Sequence, residues 1–275
     1  MSWQPTRSGV ERRVEPAGAQ EFSDTHRSGR RSPYGPGRRF AAEYLGTALL
    51  VAVVIGSGIS AQRWSPSDLG LQVLESSIAI MLGLWVLILV FGPISGAHFN
   101  PVVSVVDWVL GRRIGRGLPG SEVFAYAIAQ TLGAVSGAIL ANIMFDLAPL
   151  QISTNHRVTT GHLVGELVAT AGLLSVILAL ARSARPALSA AAVSAYIGAA
   201  CWFTSSTAFA NPAITLGRTL SDTLAGIAPA SAPAYIAAQI VGAAIGLAII
   251  SWFYPDAPAA ADNVTVLHRV PGSRR

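Results

Sequence analysis

Residues 95–102 read Ser-Gly-Ala-His-Phe-Asn-Pro-Val, and residues 206–213 read Ser-Thr-Ala-Phe-Ala-Asn-Pro-Ala. Both stretches interrupt long apolar sequence, and both contain the pair Asn-Pro. Asn is a preferred helix N-cap, and Pro fits the first helical position, where its missing N–H is not needed. Asn100 and Asn211 therefore each predict the start of a short helix inside an apolar region. Two positive helix ends facing each other would form a donor-rich polar site there.

The composition is typical of a membrane protein with several spans. Of the 275 residues, 52% are hydrophobic and only 12% are charged, as expected for a chain that lies largely in a bilayer. All 19 basic residues are Arg, and eight of them precede residue 40. Because no basic, aromatic-rich soluble domain follows, no nucleic-acid partner is expected. Cys201 is the single cysteine, which excludes an internal disulfide and a multi-cysteine metal site.

Six apolar stretches approach the length of about 20 residues that a bilayer core requires. They predict an all-α membrane protein with six transmembrane helices plus two half-helices. Residues 1–37 lack the apolar run of a signal peptide and predict a disordered Arg-rich tail, and residues 257–275 form a second tail. The predicted spans are 40–61, 69–91, 123–145, 163–181, 187–204 and 234–253.

Arginines in the short loops predict the orientation, because they concentrate on the cytoplasmic side of a membrane. Only Arg63, Arg157 and Arg218 fall on one side, whereas the other side carries most of the rest. The protein is therefore predicted to span the inner (plasma) membrane with both termini in the cytoplasm. The arginines assigned to that side are Arg38, Arg39, Arg112, Arg113, Arg116, Arg182, Arg185, Arg269, Arg274 and Arg275.

Each half of the chain repeats the order Glu, Asn-Pro, Gln. Glu43 and Glu166 lie near the starts of the first and fourth spans, and Gln130 and Gln239 lie in similar sequence in the third and sixth spans. Three spans per copy is an odd number, so the copies must be inverted relative to each other. Inverted repeats with interrupted helices place the functional site near the bilayer midplane.

The backbone before each Asn is expected to be non-helical, which at membrane depth is tolerated only when it is buried or lines a wet cavity. Its carbonyl groups would line a path. If each Asn caps its own helix through its side-chain oxygen, its amide NH₂ is free to donate into that path. Such a path suits a small neutral molecule with hydroxyl groups. The predicted donors are Asn100 and Asn211, and the predicted acceptors are the carbonyl groups of Gly96, Ala97, His98, Thr207, Ala208 and Phe209.

With these paired motifs, the chain resembles the aquaporin, or major intrinsic protein, family. The resemblance covers residues 38–256, with one repeat at about 39–146 and the other at about 161–254. It implies a homotetramer in a lipid bilayer, with a passive channel for small uncharged solutes in each subunit and no cofactor, metal or catalysis. Cation exclusion by the facing helix ends is a device for which aquaporin-type pores are themselves the standard example. The resemblance also implies that Glu43 and Glu166 are structural acids that accept hydrogen bonds from the irregular loops.

At the outer constriction, this sequence departs from the family pattern. A conserved Arg usually follows the second Asn-Pro-Ala directly, but here that residue is Ile214. Counted without gaps, the other constriction positions fall on Ile80, Ala199 and Ala208. The resemblance therefore implies a selectivity filter that is apolar, wider than usual and without a fixed cation.

Four polar residues near the motifs have alternative interpretations. Arg218, one helical turn after the constriction residue 214, is either a cation at the outer mouth or an anchor or partner of Asp222. His98 is either a packing residue or a pH gate. Asp107 is a salt-bridge or capping residue at the position that matches Arg218 in the other half. Cys201 is either a buried apolar residue or a thiol that lines the pore.

The permeant solute is not determined by the sequence. Residues 202–213 resemble a bacterial subgroup that is often encoded beside arsenic-resistance genes and also lacks the Arg. Neutral metalloid hydroxides such as arsenous acid thus join water and glycerol-type polyols as candidates. The alternative function is an ion-coupled secondary transporter, which inverted repeats also build. A membrane enzyme and a non-conducting structural tetramer are weaker alternatives, since Ser205 and Ser206 have no nearby His or carboxylate in sequence.

Overall fold

The computed structural model describes residues 34–114, 117–182 and 188–254. Most of the predicted N-terminal tail and the whole C-terminal tail lie outside the described residues. At the edge of the N-terminal tail, the prediction was too long, because Pro36 and Gly37 already belong to the first helix. Pro is suited to this place, since it fits the first turn of a helix.

The described residues contain eight α-helices and confirm the predicted arrangement of six spans and two half-helices. Five of the spans are long and apolar enough to cross a bilayer, and the sixth, α6, is shorter, with 15 residues. Short 3₁₀ turns follow α7 and precede α8. The helices are α1 Pro36–Trp64, α2 Leu69–Ser95, α3 Pro101–Ile114, α4 Gly120–Met144, α5 Thr160–Arg182, α6 Ser189–Phe203, α7 Pro212–Gly217 and α8 Ala232–Phe253.

The inverted halves interlock through their half-helices. The first half-helix, α3, packs against α4 of its own half and against α8 of the other half. The second half-helix, α7, packs in the same way against α8 and α4. Both half-helices are thereby held inside the bundle, so that the two loops that precede them meet in its interior.

Glycines on α4 and α8 allow the long helices of each half to touch backbone to backbone. A Cβ atom added at Gly137 would lie 2.1 Å from the carbonyl oxygen of Ala48. At the matching site in the second half, a Cβ at Gly246 would lie 2.5 Å from the carbonyl oxygen of Ala171. A further glycine lies four residues before each of these, which is the small-residue spacing that closely packed membrane helices require. The same contact therefore holds α1 to α4 and α5 to α8.

Candidate functional site

The loops before α3 and α7 have nearly the same backbone conformation. Each loop places three residues in the left-handed region of backbone conformation. Of these six residues, only Gly96 is a glycine. Such positions cost on the order of 1–3 kcal/mol each and persist only where the surroundings fix them. The φ angles are 92°, 50° and 50° at Gly96, Ala97 and Phe99, and 60°, 47° and 48° at Thr207, Ala208 and Ala210.

A buried glutamate fixes the first loop. Glu43 is fully buried and accepts hydrogen bonds from the backbone N–H groups of His98 at 3.0 Å and Phe99 at 2.7 Å. The Ser95 hydroxyl donates to the same carboxylate at 2.6 Å, and the Gln130 amide does so at 2.7 Å. Charge-assisted hydrogen bonds of this kind are stronger than neutral ones, so the carboxylate offsets the strain of the loop.

The second loop is fixed in the same way. Glu166 is also fully buried, and it accepts hydrogen bonds from the N–H groups of Phe209 and Ala210, both at 2.9 Å. The Gln239 amide donates to it at 2.6 Å. The Glu and Gln residues that repeat in the sequence thus form one hydrogen-bonded unit per half.

Both asparagines cap the helices that follow them. The side-chain oxygen of Asn100 accepts from the N–H of Val102 at 3.1 Å. The side-chain oxygen of Asn211 accepts from the N–H groups of Ala213 at 2.9 Å and Ile214 at 3.2 Å. The N–H groups at both helix ends therefore point toward the middle of the bundle.

The asparagine amides also join the two halves to each other. The Asn100 amide donates to the carbonyl oxygen of Ala210 at 2.8 Å, and the Asn211 amide donates to that of Phe99 at 2.7 Å. The prediction that both amide groups are wholly free was wrong, because the loops meet closely enough for each amide to reach the opposite carbonyl. A primary amide has two N–H donors, so each asparagine has a second donor besides the one that binds the opposite loop.

The two asparagines line a cavity, which we call the asparagine cavity. One part of the lining, the loop wall, comes from the two loops and includes both asparagines. The other part, the apolar wall, comes from α1, α2, α5 and α6. The residues of the apolar wall include Leu50, Val54, Ile80, Leu84, Ile88, Leu173, Ile177, Val193 and Ile197, and the loop wall comprises Ala97, His98, Phe99, Asn100, Thr207, Ala208, Phe209, Ala210 and Asn211.

Five of the six residues predicted to line a path through their carbonyl groups border this cavity. The exception is Gly96, which the structure does not place in the lining. Gly96 is instead the C-cap of α2, and its N–H donates to the carbonyl oxygen of Gly92 at 2.9 Å. A helix C-cap in the left-handed conformation is a usual place for glycine.

A second cavity adjoins the first, and we call it the arginine cavity because Arg157 and Arg218 line it. Hydroxyl side chains, among them Ser76, Ser205 and Thr207, contribute to its lining. Burial lowers the pKa of the Arg157 guanidinium, as expected for a cation removed from water. The residues that line both cavities, and so form their junction, are Val54, Ile80, Cys201, Thr207 and Arg218.

The predicted filter positions do not all meet at this junction. Ile80 lies at the junction, and Ala208 and Ile214 line the asparagine cavity. Ala199 lines neither cavity and is exposed on the outside of α6. Its assignment to the filter was therefore wrong.

The helical repeat of α6 explains the error. This helix presents Val193, Ile197 and Cys201 to the cavities, a spacing of four residues that keeps side chains on one face. Ala199 lies midway between two of them and so points to the opposite side. The thiol of Cys201 occupies the place on α6 that counting without gaps had assigned to Ala199. Because this helix is apolar on nearly all sides, the sequence carries no periodic signal that could have found it.

Arg218 is held at the junction by an aromatic ring and a carbonyl group. It is only 6% exposed, its Nε–H donates to the carbonyl oxygen of Ala225, and its guanidinium carbon lies 3.3 Å from the centre of the Phe209 ring. Asp222 does not pair with it; that carboxylate accepts instead from the N–H of Thr154 at 2.8 Å.

Neither His98 nor Asp107 lines the arginine cavity. The ring of His98 lines the asparagine cavity, and its Nδ1 lies 3.0 Å from the Ser104 hydroxyl. Asp107 accepts a hydrogen bond from the N–H of Leu118 at 2.8 Å. Of the two interpretations of Asp107, the structure thus favours a backbone cap.

Two inverted halves, half-helices that meet at capped asparagines and two joined cavities together define a membrane channel. The family model for major intrinsic proteins matches residues 35–205 and 187–272. The chain belongs to this family, as its paired motifs predict, and is a passive channel.

Individual relatives agree with this assignment. The aquaglyceroporin AqpS of Rhizobium meliloti (strain 1021) is 46% identical over 186 residues, which are 68% of this chain and 77% of that protein. The propanediol uptake facilitator PduF of Citrobacter freundii is 33% identical over 122 residues, which are 44% of this chain and 42% of that protein. The solved structure of the aquaglyceroporin from Plasmodium falciparum matches with a TM-score of 0.59 and 21% identity, over 84% of this chain and 100% of that one. At this identity, the structural match supports the fold alone.

Proposed function

We propose that the channel passes uncharged solutes larger than water, with glycerol-type polyols as the principal class. The observation that carries this proposal is the lining of the asparagine cavity, which combines loop residues, among them both asparagines, with an apolar wall. A polyol has the same division, with hydroxyl groups along one edge and C–H groups along the other. It can exchange the hydrogen bonds of water for those of the loop wall while its carbon chain contacts aliphatic side chains.

The loop wall supplies the hydrogen bonds in sequence along the path. We assign the acceptors to the carbonyl groups of Ala97, His98, Thr207, Ala208 and Phe209. The remaining amide N–H of each asparagine donates where the two loops meet. Both helix N-termini are positive at this point, so a cation finds two repelling ends and loses its hydration without a compensating charge.

The filter is proposed to be the junction of the two cavities. Val54, Ile80 and Cys201 provide its apolar side, and Thr207 and Arg218 provide its polar side. Because Ile214 replaces the usual Arg, the charge enters one helical turn later, from Arg218. Its guanidinium lies against Phe209, which leaves the position beside Ile214 open to a carbon chain.

Neutral metalloid hydroxides are a second solute class that this filter favours. Arsenous acid is uncharged and carries hydroxyl groups, so it presents the same donors to the loop wall as a polyol. The specific observation is the aliphatic residue at position 214, which removes the fixed donor that would otherwise narrow the path. AqpS, a relative that is named an aquaglyceroporin, shares this chain's family and 46% of the aligned residues.

We further propose that the protein is a homotetramer in the plasma membrane, with both termini in the cytoplasm and the arginine cavity facing outward. The arginine distribution supports the orientation. Large apolar side chains such as Val86, Leu89, Leu132 and Ile143 are more than half exposed on α2 and α4, and such faces suit lipid or neighbouring subunits.

The test is entry of glycerol into proteoliposomes, followed by stopped-flow light scattering. We expect initial rates that rise in proportion to the glycerol gradient and do not respond to an imposed proton or sodium gradient. Rates equal to those of protein-free vesicles, despite correct folding, would refute the channel for polyols. Saturating rates that follow an ion gradient would instead support the secondary transporter.

A further inference from the structure

Two buried arginines are held side by side by one short turn. Arg157 donates from Nη2 to the carbonyl oxygen of Leu224 at 2.6 Å and from Nε to that of Gly226 at 2.7 Å. Between these two, the carbonyl oxygen of Ala225 accepts from Nε of Arg218. Three successive carbonyl groups therefore fix both guanidinium groups. The position of each arginine is built into the fold rather than left to a flexible side chain.

Both guanidinium groups also contact one aromatic ring. The Cζ atoms of Arg157 and Arg218 lie 5.5 Å and 3.3 Å from the centre of the Phe209 ring. Like charges so close together repel each other, and the repulsion is stronger where water is excluded. Within the described ranges, Arg39–Glu122 is the only ion pair. Neither Arg157 nor Arg218 therefore has a carboxylate in contact among the residues that the structure describes.

Acids in the described part of the chain do not balance the charge of this cluster. Glu166 is the acid that lies behind it, connected through the backbone N–H of Phe209. Its carboxylate is already committed to the second loop and to Gln239. Two cations and one anion leave a net charge of +1 beside the arginine cavity. An uncompensated buried charge is costly, so one further negative charge would be stabilising here.

The arginine cavity offers the donors that an oxyanion needs. A guanidinium group has five N–H donors, and the contacts with the turn use few of those on Arg157 and Arg218. Ser76, Ser205 and Thr207 add hydroxyl groups to the lining. The Ser76 hydroxyl is buried and has no hydrogen-bond partner among the described residues. Arginine forks match paired oxygen atoms in geometry as well as in charge.

We propose that the arginine cavity binds a small oxyanion with a single negative charge between Arg157 and Arg218. The bound oxyanion contacts the junction of the two cavities, where Ile80 and Cys201 also lie. It therefore obstructs the solute path, and external oxyanions of this kind inhibit the channel. A divalent anion is disfavoured, since it would leave an excess negative charge next to Glu166.

The binding test uses methanesulfonate, an oxyanion that stays singly charged at every accessible pH. The full-length protein in a neutral detergent is titrated with sodium methanesulfonate by isothermal calorimetry, and sodium chloride at equal ionic strength is the reference. We expect saturable binding that is about tenfold tighter than that of chloride, which corresponds to about 1.4 kcal/mol. Because this measurement involves no flux, its result is independent of the proposed solute.

Variants distinguish the site from general attraction of anions. Arg157→Gln should weaken methanesulfonate binding about tenfold or more, and Ser76→Ala, which leaves both arginines in place, a few-fold. The matched control is Arg63→Gln. Arg63 also donates to a carbonyl oxygen, that of Phe145, and lies over the Phe145 ring at 5.2 Å, but it lines neither cavity. Its replacement should leave binding unchanged.

Three results would overturn the proposal. They are the absence of saturable methanesulfonate binding, equal affinity for chloride, and equal weakening by Arg63→Gln and Arg157→Gln. Since Arg157 also holds the turn, thermal unfolding without added anion is measured for each variant. If Arg157→Gln is unfolded, the affinity of Ser76→Ala decides, and wild-type affinity in that variant counts against the site.

Discussion

The loop before Asn100 and the loop before Asn211 have similar structures, but the two halves of the chain differ seven residues after each asparagine. Each loop is held by one buried glutamate, and each asparagine amide binds the opposite loop. At the matching later positions lie an acid, Asp107, and a base, Arg218. Asp107 accepts from a backbone N–H, whereas Arg218 donates to a backbone carbonyl. The common framework is thus what forms the path, and the residues attached to it are what make its two ends different.

The half-helices differ in length in a way that explains this divergence. The first half-helix, Pro101–Ile114, continues for 14 residues. The second, Pro212–Gly217, has six residues and passes directly into the 3₁₀ turn Arg218–Leu220. The early end of the second half-helix carries Arg218 back over Phe209 and into the junction of the cavities. We therefore expect selectivity to reside mainly in the second half.

Replacing either buried glutamate should destabilise the framework that both halves share, and we expect this loss of stability to exceed the effects of the other variants. In Glu43→Ala and Glu166→Ala, two backbone N–H groups and a glutamine amide lose their acceptor in a buried site. Each unsatisfied donor costs about 1–3 kcal/mol, so each variant should lose several kcal/mol of stability. Thermal unfolding in detergent should show a large fall in the midpoint temperature Tm for both variants. A wild-type transition in either one would mean that its loop is held by the cross-links between the halves alone.

Substitutions at two nearby positions on α6 should have different effects on glycerol flux. Cys201→Trp places a bulky ring at the junction of the cavities, and glycerol flux should fall about tenfold or more, because a packed path has little spare volume. Ala199→Trp, on the outer face of the same helix, should stay within about twofold of wild type. Both are measured in proteoliposomes with equal amounts of protein. The opposite order would restore the assignment of residue 199 to the filter.

Substitutions at the two charged positions that follow the asparagines should change the fluxes least. Arg218→Gln removes a cation from the junction, so the leak of cations should rise, because fixed positive charge is a barrier to cations in such pores. Glycerol flux should increase a few-fold, because the smaller side chain widens the junction. Asp107→Asn keeps an acceptor for the N–H of Leu118 and should change glycerol flux less than about twofold. Light scattering for glycerol and a potential-sensitive dye for ions measure the two effects. Equal changes in the two variants would contradict the assignment of selectivity to the second half.

The features that the sequence predicts correctly are those with local causes. An Asn-Pro pair favours a helix start through local contacts, so Asn100 and Asn211 indicate the half-helices without tertiary information. The role of Glu43 and Glu166 follows instead from the family resemblance, which implies that they accept hydrogen bonds from the loops, as they do. The number of spans follows from their length and hydropathy.

The remaining features depend on tertiary contacts that sequence counting cannot supply. The cross-links made by the asparagine amides exist because two loops that are far apart in sequence meet face to face. Ala199 was misassigned because the register of α6 depends on how the segment before Asn211 is folded. Arg157, which sequence analysis used only for orientation, gains its place from the turn at Leu224, Ala225 and Gly226.

We propose above all that the aliphatic side chain at position 214 leaves the path wide enough for polyols. The most direct test is the ratio of glycerol to water permeability, measured by stopped-flow light scattering for the wild type and for Ile214→Arg in matched proteoliposomes. We expect the variant to lose about tenfold of its glycerol permeability while water permeability stays within about twofold, because the added guanidinium narrows the path without closing it. An unchanged ratio would show that residue 214 does not determine the width of the filter, contrary to this proposal.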